Sequence, residues 1–395
     1  MKKYNFLEEY TFKNGAKIKN RIVMAPMTTM ASFHDGRITK DELEYYAART
    51  GGVGMLITGV VNVSENGKGF EGELSITNDF MIPGLTKLAT TIKNGGTKAI
   101  LQIFHAGRKS DSKILRGEQP VSASAVKAVY PPDLEVPRAL EEHEIEKIIK
   151  EFGEATRRAI IAGFDGIELH GANTYLLQQF FSPHSNRRED KWGGSLENRM
   201  RFAEEIIKVV KEQIEKYAKK EFILGYRISP EEVETPGIRL EDSLYFAEKI
   251  KDKVDYIHLS MGSYKRTSLN NKESKKTLVS EFAKKVDNTI PIIAVGSIET
   301  PEDAEAALKE GATFAAMGRE LIREPKWVQK VMAGDEKSIR REISASDMEE
   351  LAIPGGMQSY LEGFYRELMK FTTANNENID FHNTMAPMEG SKKSL

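Results

Sequence analysis

The chain has 395 residues, of which 40% are hydrophobic, and its 57 basic and 59 acidic residues give a formal net charge of −2. This near-neutral balance gives no indication of a nucleic-acid surface, and no apolar run approaches the roughly 20 residues that span a bilayer. The amino terminus has two lysines but no apolar segment after them, so we expect no signal peptide and a cytoplasmic location.

The chain contains no cysteine. Disulfides, thiolate catalysis and cysteine-held zinc or iron–sulfur clusters are therefore excluded, and we expect no metal site. The chemistry must come from oxygen and nitrogen side chains or from a bound cofactor.

Eight short apolar segments alternate with segments of helical period along the chain. The predicted strands are 21–27, 53–61, 98–104, 165–170, 222–229, 254–260, 291–296 and 312–318, and the predicted helices are 39–50, 83–95, 141–162, 196–219, 240–251, 275–286, 300–310 and 319–333. Apolar strands that alternate with helices are typical of a parallel sheet buried on both faces. Eight such units favour a closed (β/α)8 TIM barrel over an open doubly wound sheet.

No linker rich in proline, glycine or serine separates these units. We therefore predict one barrel domain over residues 1–338, with elaborated loops, the longest of them at 106–140. Residues 339–395 are predicted to form a C-terminal extension, partly helical to about residue 371 and ending in a polar, flexible tail.

Residues 67–72, GKGFEG, match the glycine pattern of dinucleotide-binding turns. In those turns the glycines lie directly between a strand and a helix whose amino terminus faces the pyrophosphate. Here polar residues separate the motif from the preceding strand, and the residues after it have no helical period. We therefore predict a glycine-rich loop over the barrel mouth.

The active site of such a barrel lies at the carboxyl ends of its strands. On the first five strands the candidates at these ends are Pro26, Met27, Thr28, Gly59, Gln102, His170, Asn173, Tyr175 and Arg227. The hydroxyl of Thr28, the amide of Gln102 and the cation of Arg227 suit a planar ring with several carbonyls and ring nitrogens. An arginine beside such a ring stabilises negative charge that develops on it.

Glycines also follow the seventh and eighth strands, at Gly296 and at Gly318, which precedes Arg319. The loops after these strands are the common phosphate site of the barrel, where backbone N–H groups and an arginine bind the oxygens. One phosphate beside one polar ring favours flavin mononucleotide, FMN. A flavin-free barrel acting on a phosphorylated substrate, or a flavin-binding protein without turnover, remains an alternative at this stage.

The sequence resembles the old yellow enzyme family of FMN-dependent NAD(P)H:flavin oxidoreductases and ene-reductases. The similarity covers residues 5 to about 335 and is carried, in the family's order, by NRIVMAPMTTM (20–30), QIFHAGRK (102–109), the long segment 163–202, YRIS (226–229), VGSI and MGREL. The resemblance implies an enzyme that takes hydride from NADH or NADPH. It also implies that the enzyme reduces the activated C=C bond of α,β-unsaturated carbonyl or nitro compounds.

The resemblance further implies the roles of single residues. Ten positions match residues that contact the flavin in the family: Pro26, Met27, Thr28, Gly59, Gln102, His170, Arg227, Gly296, Gly318 and Arg319. Within this set Thr28 is expected near O4 of the ring and Arg227 beside N1 and O2, and the last three positions hold the phosphate. His170 and Asn173 match the pair that binds the oxygen of the substrate, and Tyr175 matches the proton donor.

The chain departs from some relatives in ways that limit its chemistry. Family members carry threonine or cysteine at position 28, and the threonine here provides no redox-sensing thiol. Some longer relatives carry an iron–sulfur cluster and a second flavin domain, which a chain without cysteine cannot reproduce. The physiological substrate, the choice between NADH and NADPH, and homo-oligomerisation are not determined by these patterns.

Overall fold

Eight parallel strands pair in chain order and close on themselves, because the first strand pairs with both the second and the eighth. The computed structural model describes residues 4–363 and 365–372. Its barrel strands β1–β8 are Ile22–Met24, Met55–Asn62, Lys98–Phe104, Gly166–Gly171, Ile223–Ile228, Tyr256–Leu259, Ile292–Val295 and Phe314–Met317. All eight overlap the predicted segments, so the (β/α)8 TIM barrel is confirmed and the open sheet is excluded.

The outer helices also overlap the predicted ones. In chain order α1–α8 are Lys40–Arg49, Ile82–Lys93, Glu142–Ile161, Leu196–Tyr217, Leu240–Ile250, Leu278–Lys285, Pro301–Lys309 and Arg319–Arg323. A short helix, Leu176–Phe181, lies in the loop after β4. Among the helices of the described residues, none is long and apolar enough to cross a bilayer.

The predicted helix 319–333 is wrong in one respect, because it is interrupted. After α8 ends, a separate helix spans Trp327–Ala333. Pro325 lies in the gap, and a proline disfavours helical backbone at the residue before it. Glu324, that preceding residue, has φ −130° and ψ 84°, outside the helical region.

The lower interior of the barrel is apolar. Buried side chains from the strands form one cluster there: Val23, Ala25, Met55, Ile57, Ile100, Ile223, Ile293, Val295, Phe314 and Ala316. An amino-terminal hairpin, Tyr10–Thr11 paired with Lys17–Ile18, adds Phe12 to this cluster. Phe12 packs on Phe314, the first residue of β8, so the hairpin closes the amino-terminal end of the barrel.

The interior near the carboxyl ends is polar instead. Gln102, Glu168, Arg227 and His258 come from β3 to β6, and each is at most 8% exposed. Buried polar groups are stable only when hydrogen bonds or ligands satisfy them. This polar layer therefore marks the end of the barrel where a ligand is expected.

The glycine-rich segment 67–72 is a loop, as predicted, since a short strand, Leu74–Ser75, and no helix follows it. Glu73 is buried and accepts hydrogen bonds from the backbone N–H groups of Gly69 and Phe70. These bonds fix the turn that carries the ring of Phe70 to the barrel mouth.

The C-terminal extension packs on the barrel through a buried arginine of α1. The Arg49 guanidinium donates to the carbonyl groups of Leu321 and Ile322 in α8 and of Leu351 in the extension. Helix Gly355–Gly363 agrees with the partly helical segment that the sequence predicts. The domain division at residue 338 stays a prediction, and the predicted flexible tail lies outside the described residues, apart from residue 372.

Gly225 in β5 tests the packing of the barrel interior. A Cβ atom there would lie 2.0 Å from Cζ of Tyr256, so Gly225→Ala must displace a buried ring. We expect a loss of about 1–3 kcal/mol in the free energy of unfolding, measured by chemical denaturation.

The matched control is Gly153→Ala in α3, where the nearest atom lies 3.6 Å from the added Cβ. Alanine in a helix interior is favoured over glycine by about 0.5–1 kcal/mol, so this variant should be more stable than the wild type. A Gly225→Ala protein as stable as the control would contradict the described packing.

Candidate active site

A buried carboxylate organises the polar layer of the barrel. Oε1 of Glu168 accepts a hydrogen bond from Nε2 of Gln102 at 2.6 Å. Oε2 accepts from the hydroxyl of Tyr256 at 3.0 Å and from Nδ1 of His258 at 2.9 Å. Burial alone would raise the pKa of Glu168, but the hydrogen bond from His258, the charge of Arg227 and the hydrogen bond from Gln102 outweigh burial and lower it. The carboxylate is therefore ionised at neutral pH.

Two buried nitrogen atoms in this layer have no hydrogen-bond partner within the part of the chain that is described. They are Nε of Arg227 and Nε2 of His258. A buried polar group without a partner costs about 1–3 kcal/mol. Since the two residues are register neighbours on β5 and β6, their unpaired atoms indicate that a polar ligand completes this side of the mouth.

Residues after β1 line the opposite side of the mouth. Pro26, Met27 and Thr28 are partly exposed there. A Cβ at Gly59 would lie 2.6 Å from the carbonyl oxygen of Met27, and one at Gly318 would lie 3.1 Å from its sulfur. Because neither glycine has a Cβ atom, the backbone and the side chain of Met27 can lie close to them. This side of the mouth therefore has little side-chain bulk.

The N–H of Gly59 donates to the hydroxyl of Tyr46 at 2.8 Å, so it is not free for a ligand. A contact between Gly59 and a ring, as predicted from the sequence, would have to use its Cα or its carbonyl oxygen. That role stays a prediction.

The structure brings together the residues predicted to bind phosphate. Gly296 has φ 103°, and a Cβ there would lie 2.4 Å from the carbonyl carbon of Gly262, so only glycine fits. Ser297 follows it, and its hydroxyl lies 3.5 Å from Nη2 of Arg319, which comes directly after Gly318. Ser297 and Arg319 are only partly exposed. Among the described residues, no carboxylate lies within 4.0 Å of the Arg319 guanidinium. A cation without a direct ion pair to a described residue, beside glycine-lined turns, suits a phosphate.

His170 and Asn173 place two hydrogen-bond donors side by side. The N–H of Ala172 donates to Nδ1 of His170 at 3.3 Å, so the ring proton is on Nε2. The hydroxyl of Ser260 donates to Oδ1 of Asn173 at 2.7 Å, which turns Nδ2 toward His170. The two nitrogen atoms lie 3.3 Å apart, and because both are donors, they can share one acceptor.

The backbone at this pair is strained and held in place. Asn173 and Thr174 have φ 58° and 59°, in the left-handed region that costs most residues about 1–3 kcal/mol. The N–H of Asn173 donates to the hydroxyl of Ser229 at 3.0 Å. Ser229 and Ser260, the residues directly after β5 and β6, thus fix the backbone and the amide of Asn173, and sequence reasoning missed both of them.

His170 is neutral. Its pKa lies well below its ordinary value, first because the ring is buried and then because Arg227 and His258 are close. A neutral imidazole donates one hydrogen bond without bringing a second buried charge.

Tyr175 packs directly against His170. Their rings meet edge to face with centroids 4.9 Å apart, and the rings of Phe104 and Phe70 contact Tyr175 in the same way at 5.0 and 6.4 Å. Burial, followed by the charge of Glu73, raises the pKa of Tyr175 well above its ordinary value. The phenol is therefore protonated at neutral pH, and its hydroxyl forms no hydrogen bond to the described residues.

These features fit FMN. Gly296, Gly318 and Arg319 suit its phosphate, while Gln102 and Arg227 present an amide and a buried cation to a polar ring edge. The opposite side of the mouth has little side-chain bulk and leaves room for a flat ring. Every residue that the sequence predicted for the site lies at this end of the barrel.

The chain is similar to known proteins over most of its length. A sequence profile of the NADH:flavin oxidoreductase / NADH oxidase family matches residues 7–338. Over 352 residues, 88% of this chain, the sequence is 44% identical to the NADH:acrylate oxidoreductase of Vibrio harveyi. It is 43% identical over 352 residues to the NADH:fumarate oxidoreductase of Klebsiella pneumoniae (strain 342). The chain spans only 35% and 38% of these two relatives.

A third relative matches over nearly its whole length. A Bacillus subtilis (strain 168) protein named "Probable NADH-dependent flavin oxidoreductase YqiG" is 43% identical, over 88% of this chain and 93% of its own.

Two solved structures share the fold. Morphinone reductase aligns with a TM-score of 0.72 and 25% identity over 84% of this chain and 90% of its own. The old yellow enzyme homologue from Zymomonas mobilis aligns with a TM-score of 0.74 and 26% identity over 90% and 99%. The profile covers the whole barrel and its site, and the chain belongs to the NADH:flavin oxidoreductase / NADH oxidase family, the old yellow enzyme family that its motifs indicated, whose members use FMN and NAD(P)H.

Proposed function

We propose that the protein is an ene-reductase, which takes hydride from NADH or NADPH and reduces the activated C=C bond of an α,β-unsaturated carbonyl or nitro compound. The observation that carries this proposal is the convergence of two donors, His170 Nε2 and Asn173 Nδ2, beside the neutral phenol of Tyr175. This set binds an oxygen and supplies a proton close to it. A flavin-binding protein without turnover has no need of such a set.

FMN supplies the hydride chemistry when it is bound. Gln102 and Arg227 would hold its ring, and Gly296, Gly318 and Arg319 would hold its phosphate. The nucleotide and the substrate occupy the mouth in turn, because both must reach the same ring.

The chain's own residues then complete the reaction. His170 and Asn173 donate hydrogen bonds to the oxygen of the substrate, where negative charge collects as hydride arrives at Cβ. Tyr175 gives its proton to Cα and regains one from water. One hydride and one proton are added, and the C=C bond becomes a single bond.

Two relatives suggest compounds for a substrate screen. Their names specify acrylate and fumarate, in which the C=C bond is conjugated with a carboxyl group. Because this chain spans about a third of either protein, we propose these acids as test compounds beside enones and nitroalkenes.

The first experiment follows the colour of the purified protein under anaerobic conditions. We expect bound FMN, bleaching by NADH or NADPH, and return of the yellow colour on addition of cyclohexenone. A protein that bleaches but is reoxidised by no enone, nitroalkene or unsaturated acid would contradict the ene-reductase proposal. A flavin that stays yellow with both nucleotides would contradict the hydride step itself.

Tyr175→Phe tests the proton donor. We expect the enone to reoxidise the flavin more slowly by a factor on the order of 10²–10⁴, because general acid catalysis typically contributes that much. Reduction by NAD(P)H needs no proton from this phenol and should be unchanged. Stopped-flow absorbance measures both steps, with Tyr217→Phe at the end of α4 as the control. An equal loss in both steps would show that Tyr175 has another role.

Asn173→Gly tests the paired donors. Glycine adopts the φ of 58° without strain, so the change removes the amide donor and keeps the backbone. We expect the rate of enone reduction to fall by a factor on the order of 10²–10³ with little change in thermal stability. Thr174→Gly, at the neighbouring φ of 59°, is the matched control and should reduce enones nearly as fast as the wild type. Similar rates in both variants would exclude an oxyanion role for Asn173.

A further inference from the structure

Glu168 lies in the barrel layer just below the substrate-binding pair. It precedes His170 by two residues on β4, so both side chains point to the same face of the strand. Its carboxylate reaches Gln102 on β3 and also His258 on β6, past the intervening strand β5. Such a contact is possible only across the barrel interior, where Gly225 on β5 leaves room for the ring of Tyr256.

The carboxylate fixes which end of the Gln102 amide faces the mouth. Because Nε2 donates to Glu168 at 2.6 Å, the opposite orientation would place Oε1 against a negative oxygen. The acceptor Oε1 is therefore left for an N–H group of a bound ring.

The same carboxylate supplies the negative charge that offsets the positive charge of Arg227. Arg227 is 8% exposed, and no carboxylate among the described residues lies within 4.0 Å of its guanidinium. Among the nearby charges Glu168 favours the cation most and raises the pKa of Arg227 against the effect of burial, and His258 beside it is neutral because burial lowers its pKa. The layer thus holds one buried positive and one buried negative charge, at an effective dielectric constant far below that of water.

We infer that Glu168 is a positioning residue that lowers the reduction potential of bound FMN, because it opposes the charge of Arg227 and orients the amide of Gln102. The inference rests on the proposed function, since it requires FMN in the mouth. An arginine beside the ring favours the electron pair added on reduction, and a carboxylate behind that arginine opposes it. With the carboxylate behind the arginine, the reduced ring therefore remains a strong hydride donor.

The test is the midpoint potential of bound FMN in the holoprotein, measured by anaerobic dye-equilibrated titration. Glu168→Gln removes the charge and keeps the shape. We expect the ratio of reduced to oxidised FMN at a fixed potential to rise at least tenfold, which is about 30 mV for a two-electron couple. Glu231→Gln is the matched control, because Glu231 is also a fully buried carboxylate paired with an arginine, Arg266, but lies in the loop after β5.

A second background keeps the test decisive, since Glu168→Gln leaves a buried cation without its counter-charge. Arg227→Gln/Glu168→Gln is compared with Arg227→Gln, and the same rise of at least tenfold is expected. Equal potentials, in either the wild-type or the Arg227→Gln background, would overturn the inference while bleaching by NAD(P)H would still support the proposed function. A wild-type protein that binds no FMN would overturn both.

Discussion

The alternation of side chains along closed strands is the constraint on which this structure depends. Every second residue of a barrel strand points inward, so a chain that places His170 at the mouth must also place Glu168 in the layer below it. The neighbouring strands fill that layer with Gln102 and His258, which satisfy the carboxylate. The apolar cluster underneath and the amino-terminal hairpin exclude water from below. Polar chemistry is thereby confined to one end of the barrel.

This arrangement separates the charges of the site from its donors. Arg227 and Glu168 carry opposite charges within the barrel, whereas His170 and Tyr175 at the mouth are both neutral. Neutral donors can bind a carbonyl oxygen and still gain strength as negative charge collects on it. The serines that fix Asn173 come from two other strands, so the geometry of the pair depends on closure of the barrel.

Much of the fold could be predicted because strand and helix periods are local properties. Eight apolar segments that alternate with helices are compatible with few architectures, and their number favours a closed barrel. The break at Pro325 was missed because the apolar pattern continues on both sides of the proline. The break in the predicted helix 319–333 is evident only from the backbone angles of Glu324.

The site was predicted less completely, because contacts across the barrel depend on strand register. His170, Asn173 and Tyr175 stand together in one motif, and resemblance to a family identified them. Ser229 and Ser260 had no motif of their own. Glu168 and His170 are the two polar residues of β4, and their spacing of two was a signal that a search for inward positions could have used.

The glycine-rich loop forms part of the mouth. Phe70 from the glycine-rich loop contacts Tyr175, and Glu73 holds that loop in place. The relatives show that the barrel occurs in proteins of very different length, since the chain spans about a third of two of them and 93% of another.

The positions of isotope in the product test the central claim most directly. Cyclohexenone reduced in deuterated water with unlabelled nucleotide should carry one deuterium at Cα, from the exchanged phenol of Tyr175. With the nucleotide deuterated at C4 on the transferred face, in ordinary water, the deuterium should stand at Cβ. Both positions are read by nuclear magnetic resonance of the product. Deuterium from the nucleotide at Cα, or none from water at Cα, would contradict hydride transfer to Cβ with protonation at Cα.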